Sequence, residues 1–431
     1  MDFYTIDNCP YSEIIGTTGG GKTLYRCHRY NIQIVEGDLR CISCLEFMNF
    51  ELKYQNLFKD LKSNREEYDR EIINNSIISS LYGGVPPEIR YCSLVCAGRR
   101  TELENAKRLI TDNKGCTVYI EGEFREGKSF FLRLLCDSFL SNSNQFCTSL
   151  VELDDYTNFY DYPAIIRRVI QNLLTPDYRG KHKYFSNGLD ALIYRFIFRC
   201  YGDFEKRHER SSQLHSLDEV LEEIKKLFSE ILFYKNNRRP IDDFLDNAIL
   251  SSGDYSVFAE HFPEDKIRSN NATDLLQFIF FLCEKCGYKL VILFDELEKS
   301  FHDFKHFESI SSFLEMFPEI YFVFSGTHNL LAGGTDSIEK VHSKLFHHFN
   351  EHLINLEEMK KEDFVDLIRT LEGILPPPQK NYFKEKMENK GGYKTFVEQF
   401  LLEDPNKTIG AFLIYFKEVL KLSNNSKSQQ K

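Results

Sequence analysis

At 431 residues the chain is long enough for two or three domains with substantial cores. Hydrophobic residues at 42% and charged residues at 28% are ordinary globular usage, and no apolar run approaches the roughly 18 to 20 residues that span a bilayer. The formal charge of −11 argues against a protein that coats nucleic acid along its whole surface, while leaving room for a local basic patch.

The first residues, Met-Asp-Phe-Tyr-Thr, are neither basic nor apolar, so no secretory signal is expected and a cytoplasmic location is. Of 12 cysteines, most are scattered through helix- and strand-like stretches, as reduced thiols of an intracellular protein would be. The rest crowd residues 1–50, which read as a small cysteine-rich module. Cys9, Cys27, Cys41 and Cys44 could bind one structural Zn²⁺, because the two-residue spacing of Cys41-Ile-Ser-Cys44 lets two thiolates meet one tetrahedral ion. Cys9 and Cys27 are more widely spaced, His28 is an alternative ligand, and unligated thiols are the plainer reading.

Residues 51–100 read as a helical linker that breaks at Tyr82-Gly83-Gly84-Val85-Pro86-Pro87. Residues 101–335 alternate helical periods with short apolar runs, the pattern of an α/β unit with a parallel sheet. A mainly helical insertion of about 175–270 interrupts it. Within that insertion Leu217, Val220, Leu221, Ile224, Leu227, Phe228 and Ile231 fall at the spacing of an amphipathic helix. Residues 336–421 are helical in pattern, with a break at Pro376-Pro377-Pro378, and 422–431 have the composition of a disordered tail.

The phosphate-loop pattern, Gly, four residues, Gly-Lys-Ser/Thr, occurs twice: Gly16 to Thr23 and Gly122 to Ser129. It works only where a strand feeds the loop and a helix leaves it, so that backbone N–H groups and the helix N-terminus converge on phosphate. The second copy has that context, with the β-prone Cys116-Thr-Val-Tyr-Ile120 before it and the apolar Phe130-Phe-Leu-Arg-Leu-Leu135 after it. ATP phosphates would lie on Gly122, Glu123, Phe124, Arg125, Glu126, Gly127 and Phe130, with Lys128 at the terminal phosphates and the Ser129 hydroxyl on Mg²⁺. Glu126 puts a carboxylate beside an anion site, tolerable if it points outward. The first copy has no clean strand before it and no helical pattern after it, and reads as a glycine-rich hairpin turn.

Lys289-Leu-Val-Ile-Leu-Phe-Asp295-Glu296 is an apolar strand ending in two acids, the form of a second nucleotide motif. Asp295 would hold Mg²⁺ through water and Glu296 would polarise the attacking water. A third strand, Ile320 to Thr327, ends in polar groups, and Thr327 is the first choice for a residue sensing the γ-phosphate, ahead of Ser325 and Asn329. Cys283-Glu-Lys-Cys286 has metal-like spacing but lacks a second pair and reads as a helix end. His342, His347, His348 and His352 lack the carboxylate partner of a metalloprotease motif.

With these residues on the page, the chain resembles a known family. Leu81-Tyr-Gly-Gly-Val-Pro-Pro, Ala97-Gly-Arg-Arg-Thr-Glu-Leu-Glu, Ile120 to Leu135, Val151-Glu-Leu-Asp, Pro163-Ala-Ile-Ile-Arg-Arg-Val-Ile, Phe294-Asp-Glu-Leu-Glu and Phe322-Val-Phe-Ser-Gly-Thr are similar to the BREX-system ATP-binding proteins around BrxD. The resemblance runs from about residue 70 to about 420 and is looser after 330. It implies an α/β P-loop NTPase of the AAA+/ASCE kind, with a C-terminal helical or winged-helix domain that touches double-stranded DNA. It further implies work with other proteins of an anti-phage defence system, a helicase or nuclease among them, and Arg99 near the nucleotide base or at a domain junction. Related ATPases form homo-oligomers in which a helical arginine reaches a neighbour's phosphate; here that stretch offers Lys344, which cannot make the planar two-point contact.

Overall fold

A computed structural model describes residues 4–28, 31–63, 77, 80, 87–95, 98–123, 126–142, 145–153, 159–180, 184–208, 216–250, 257–263, 266–268, 271–300, 304–356, 358–375, 377–403, 408, 411–413, 415–416 and 418. Most of the expected turn at 82–87, the loop residues Phe124 and Arg125, and the tail 422–431 lie outside them. The chain divides into two compact units, 1–66 with 181–286 and 67–180 with 287–431. Among the described residues no helix is long and apolar enough to cross a membrane.

The first unit opens with an antiparallel meander of β1 (Ser12–Thr17), β2 (Thr23–Cys27) and β3 (Ile32–Val35). Alternation drives it: Tyr25 and Cys27 point inward and are buried, while Arg26 between them is exposed. The register runs from Ser12↔Cys27 to Thr17↔Thr23, so the Gly19-Gly20-Gly21 run is a hairpin turn, as its composition predicts. The first helix then runs Leu39–Ser63, starting well before residue 51. Asp38 opens it, its carbonyl accepting from the Cys41 and Ile42 N–H groups and its carboxylate from the Arg40 N–H at 2.9 Å.

That helix is tied to the rest of its unit by aromatic stacking. Tyr54 stacks on Phe198 with centroids 5.6 Å apart, and Phe50 lies 4.8 Å from Tyr201, both partners on the helix Gly188–His208. The Lys53 ammonium, buried here, donates to the Ala248 carbonyl at 3.2 Å. The amphipathic helix spans Leu217–Phe228 and buries Leu217, Val220, Leu221, Ile224 and Phe228. Leu227 is left exposed, and the chain breaks at Ser229 before a short helix Leu232–Asn236.

The second unit holds a six-stranded sheet in the order β6-β5-β7-β8-β4-β9, with β4 Thr117–Glu121, β5 Phe146–Glu152, β6 Leu173–Leu174, β7 Lys289–Asp295, β8 Tyr321–Gly326 and β9 Leu353–Asn355. Only the β5–β6 pair is antiparallel. Its central strands are near-continuous apolar runs because both faces are covered; every residue of β8 is buried. The helix Lys128–Asn142 packs Phe131, Leu132, Leu135 and Phe139 into the same core as Val118, Ile120, Val291 and Val323. Cross-strand register pairs Glu121 with Gly326 and Glu152 with Asp295, so the C-terminal ends of four parallel strands finish along one edge. In open α/β sheets that edge is where ligands bind. Beyond Asn355 the described residues form helices Lys361–Ile374, Pro377–Asn389 and Tyr393–Glu403 around a separate core that includes Phe364, Phe383, Phe396 and Phe412.

Candidate nucleotide site

The loop after β4 closes on its own lysine. Lys128, only 8% exposed, donates from Nζ to the Gly122 carbonyl at 2.8 Å and the Glu123 carbonyl at 3.1 Å. The side chain is thereby held against the loop backbone. Gly127 takes φ +89°, a left-handed conformation that glycine adopts without a Cβ penalty, and the helix starts at the next residue. The first N–H groups of that helix have no carbonyl acceptor within it, the elementary requirement for binding an anion at a helix N-terminus. A Cβ at Gly122 would stand 3.0 Å from a Glu126 carboxylate oxygen and 3.4 Å from Lys128 Cγ, so a side chain there would press on the Glu126 carboxylate.

Glu126 does not point outward as the sequence reading required. Its Oε2 accepts the Glu123 N–H at 2.5 Å, so the carboxylate takes a loop amide that phosphate would otherwise receive. Arg99 sits behind the loop, 3% exposed, donating to the Glu126 carbonyl at 3.2 Å and to the Glu102 carboxylate at 2.8 Å. It therefore clamps the loop's backbone. Gly98, immediately before it, has φ +69°, and a Cβ there would be 2.7 Å from Cβ of Asp363 on the helix Lys361–Ile374.

Two strands away, β7 delivers the acids. Asp295 is 2% exposed, and its Oδ1 accepts both the Ser325 hydroxyl at 2.5 Å and the Glu296 N–H at 2.9 Å. Glu296 has φ +60°, a left-handed turn that costs a non-glycine residue on the order of 1 kcal/mol and persists only where neighbours hold it. Here the hold is the pair of bonds from its N–H, to Asp295 Oδ1 and to Ser325 Oγ at 3.2 Å. The Glu296 carboxylate meets the Lys299 ammonium at 2.6 Å.

Thr327, the first choice for a sensing residue, ends β8 with its hydroxyl accepting from the Leu330 N–H at 3.4 Å. Its carbonyl accepts from the Tyr119 phenol at 3.3 Å, and burial pushes that phenol well above its ordinary pKa, so it stays a neutral donor. Ser325, the second choice, is the β8 residue that touches an acid. Asn329 is exposed beyond the strand, and Ser129 is half-buried on the first turn of its helix. Lys344 pairs on the surface with Glu315 at 2.6 Å.

One participant was not singled out from sequence. Glu298, on the turn Leu297–Ser300, brings Oε1 to 3.7 Å from Lys128 Nζ, while its Oε2 is buried with no hydrogen-bond partner among the described residues. Burial raises its carboxyl above the usual range, the charges of Asp295 and Glu296 add to that, and Lys128 opposes it. The available signal was an acid three residues beyond Asp295, which a single tight turn carries back to the strand end.

At the N-terminus, Cys9, Cys27, Cys41 and Cys44 come together around one small cavity, while His28 bonds Glu13 at 3.2 Å on an exposed face. Burial, with the neighbouring Cys9, Cys44 and Cys27, pushes the Cys41 thiol up to about 11. Among the described residues no group of three or more His, Cys, Asp or Glu is placed to hold a metal ion. Cys283 and Cys286 are buried in the helix Ala272–Cys286, as their context predicts.

A buried lysine bonded to loop carbonyls ahead of a helix, with a buried aspartate at the end of a parallel strand in the same sheet, is the sequence-motif context expected of a nucleoside-triphosphate site. Residues 70–239 match the BrxC_BrxD family, described as BREX system ATP-binding protein BrxC/D. The BrxC/D match contains the whole Gly122–Ser129 loop, Arg99 and the Leu217–Phe228 helix, and it ends before Asp295 and Glu296. The resemblance read from the motifs holds over that stretch. No curated protein matches the chain.

Proposed function

We propose that the chain binds ATP with Mg²⁺ at the C-terminal edge of its sheet and hydrolyses it, in the cytoplasm, to drive a conformational or assembly change in a BREX-type anti-phage system. The observation that carries this is Lys128: buried, folded back onto the Gly122 and Glu123 carbonyls, and 3.7 Å from the Glu298 carboxylate on the turn after β7. The sheet order, with β8 inserted between the loop strand β4 and the acid strand β7, supports an AAA+/ASCE-type P-loop NTPase.

In this reading the loop amides of Gly122 to Ser129 and the Lys128 ammonium hold the β- and γ-phosphates. Mg²⁺, when bound, would be held by Ser129 and Asp295 and would offset charge on the phosphate oxygens. Both of the Asp295 bonds fall on Oδ1, which makes Oδ2 the oxygen for a hydrated cation. Ser325 fixes the Asp295 rotamer and the Glu296 turn together. Glu296 takes a proton from water as its oxygen attacks the γ-phosphorus; the bond from that phosphorus to the β–γ bridging oxygen breaks, and ADP leaves with the electron pair. Thr327 senses the γ-phosphate from the end of β8, and Arg99 keeps the loop in register. The protein partners would be other members of the defence system, a helicase or nuclease among them, with double-stranded DNA and further copies of this chain also to be tested.

A second reading is a switch that binds ATP and turns it over negligibly. Two observations favour it: Glu126 occupies a loop amide, and Lys299 occupies the Glu296 carboxylate. ATP binding and phosphate release by wild type, Lys128→Ala and Glu296→Gln, with and without double-stranded DNA, separate the two. The motor reading expects Glu296→Gln to keep binding and lose on the order of 10²- to 10⁴-fold in turnover. Tight binding with no turnover in any condition selects the switch. ATP bound equally well by Lys128→Ala would overturn the site itself.

A further inference from the structure

The densest chemistry away from the nucleotide edge lies in the N-terminal part of the first unit. Four thiols arrive there from different points of the chain. Cys9 precedes β1, and its carbonyl accepts the Ser12 N–H at 3.1 Å; Ser12 is in register with Cys27 at the end of β2. Cys41 and Cys44 are three apart at the start of the helix Leu39–Ser63, which sets both on one face. All four line one cavity of about 10 Å³, walled otherwise by residues such as Ile32, Ile34 and Leu45. That is room for one water-sized body. Cys27, Cys41 and Cys44 are each at or below 9% exposure, and none of the four is in a disulfide.

The local core is too small to account for this gathering. The fully buried part of the local core is Tyr25, Ile34, Cys27 and Cys41, with Ile6, Ile32 and Leu45 partly buried against it. A meander and a helix start with so little apolar burial ordinarily need a staple, either covalent or metallic. Without a disulfide the covalent staple is missing. We propose that Cys9, Cys27, Cys41 and Cys44 form a structural Zn²⁺ site that fastens the hairpin to the helix.

Four thiolates select a soft, tetrahedral ion, and four protein ligands leave no open position for chemistry, so the site is architectural. His28 is not a ligand, since its ring faces Glu13 and lies outside the cavity lining. The four sulfurs line the cavity but do not stand in metal-ligand geometry, so binding would have to draw them together and release their protons. The site is independent of the nucleotide reading and would stand if ATP did not bind.

The test uses the full chain, purified under reducing conditions without chelator and loaded with Zn²⁺ or Co²⁺. One metal ion per chain is expected, with Co²⁺ giving the intense thiolate-to-metal absorption of a four-sulfur tetrahedral site. Cys41→Ser and Cys44→Ser should each lose the ion and the band, while Cys200→Ser, outside the cavity, should keep both. Because a variant could fail to fold, a second readout uses wild type alone. Alkylation mapped by mass spectrometry should spare Cys9, Cys27, Cys41 and Cys44 until a chelator is added. Metal-free wild type after loading, retention of metal by the Cys41→Ser/Cys44→Ser double variant, or equal alkylation with and without chelator would each overturn the proposal.

Discussion

Gly16 to Thr23 and Gly122 to Ser129 spell the same loop motif, yet the chain does opposite things after them. A strand enters both, β4 before the second and β1 before the first, where the sequence reading expected no strand; Ser12–Thr17 is extended because it pairs with β2. After the first, Thr18 N–H donates back to the Lys22 carbonyl at 2.8 Å and β2 returns antiparallel beside β1. After the second, a helix of 15 residues departs and Lys128 is drawn under the loop. The following residues decide it. Thr23-Leu-Tyr-Arg-Cys alternates buried and exposed positions, a strand's period; Phe130-Phe-Leu-Arg-Leu-Leu buries residues on successive turns of a helix. Lysine then finds solvent in one copy and loop carbonyls in the other. A phosphate loop is therefore a property of the segment that leaves it more than of the glycines within it.

The largest expected effect tests that contrast directly. If the proposed site holds, removing the Lys128 ammonium would delete charge-assisted bonds to phosphate worth about 1.5–3 kcal/mol, so Lys128→Ala should weaken ATP binding roughly ten- to hundredfold. Lys22→Ala, on the exposed hairpin turn, should leave the dissociation constant unchanged. Calorimetric titration of both variants measures it, and equal losses would dissolve the distinction between the two copies.

How much of this was legible beforehand depends on the range of each signal. The strand before the loop, the helix after it and the apolar strand ending in Asp295 and Glu296 are all contiguous, so periodicity reveals them. The hydroxyl on Asp295 is another matter. A reading of one strand put Thr327 ahead of Ser325, and only the pairing of β7 with β8 brings Ser325 onto Asp295. Glu298 needed the turn Leu297–Ser300 to come within reach of Lys128, and Gly98 needed the approach of Asp363 from a helix more than two hundred residues later. The same limit applied to the units, since residues 1–66 and 181–286 cluster together across the loop-bearing segment.

Gly98 supplies the next test, because its constraint is on the same side of the comparison as Lys128. Gly98→Ala forces a side chain into a left-handed backbone and to 2.7 Å from Asp363 Cβ, so it should destabilise by about 1–3 kcal/mol. The neighbouring Arg99 clamp on Glu126 should loosen with it and ATP affinity should fall too. Gly373→Ala is the control: an exposed helical glycine with nothing within 4 Å, where alanine should stabilise by roughly 0.5–1 kcal/mol. Thermal melting of both variants decides the matter, and a neutral Gly98→Ala would remove the packing argument for that position.

The smallest effect concerns the acid that faces Lys128. Burial holds the Glu298 carboxyl above its ordinary value in the folded protein, so the fold favours its protonated form. By linkage, the stability it contributes is fully present below the unfolded carboxyl pKa of about 4.3 and is lost as pH rises through the higher folded value. Glutamine has no such proton to lose. Glu298→Gln should therefore melt at a higher temperature than wild type near neutral pH, and the difference should shrink as the pH falls toward the ordinary carboxyl range. With the 3.7 Å counter-charge gone, Lys128 should also be left more available to phosphate, giving a modest gain in ATP affinity near neutrality. Melting curves across that pH range, paired with nucleotide titrations at its two ends, check both parts. A difference in melting that stays constant with pH would mean the Glu298 carboxyl keeps its ordinary ionisation, and one that grows as the pH falls would mean that Lys128, not burial, governs it.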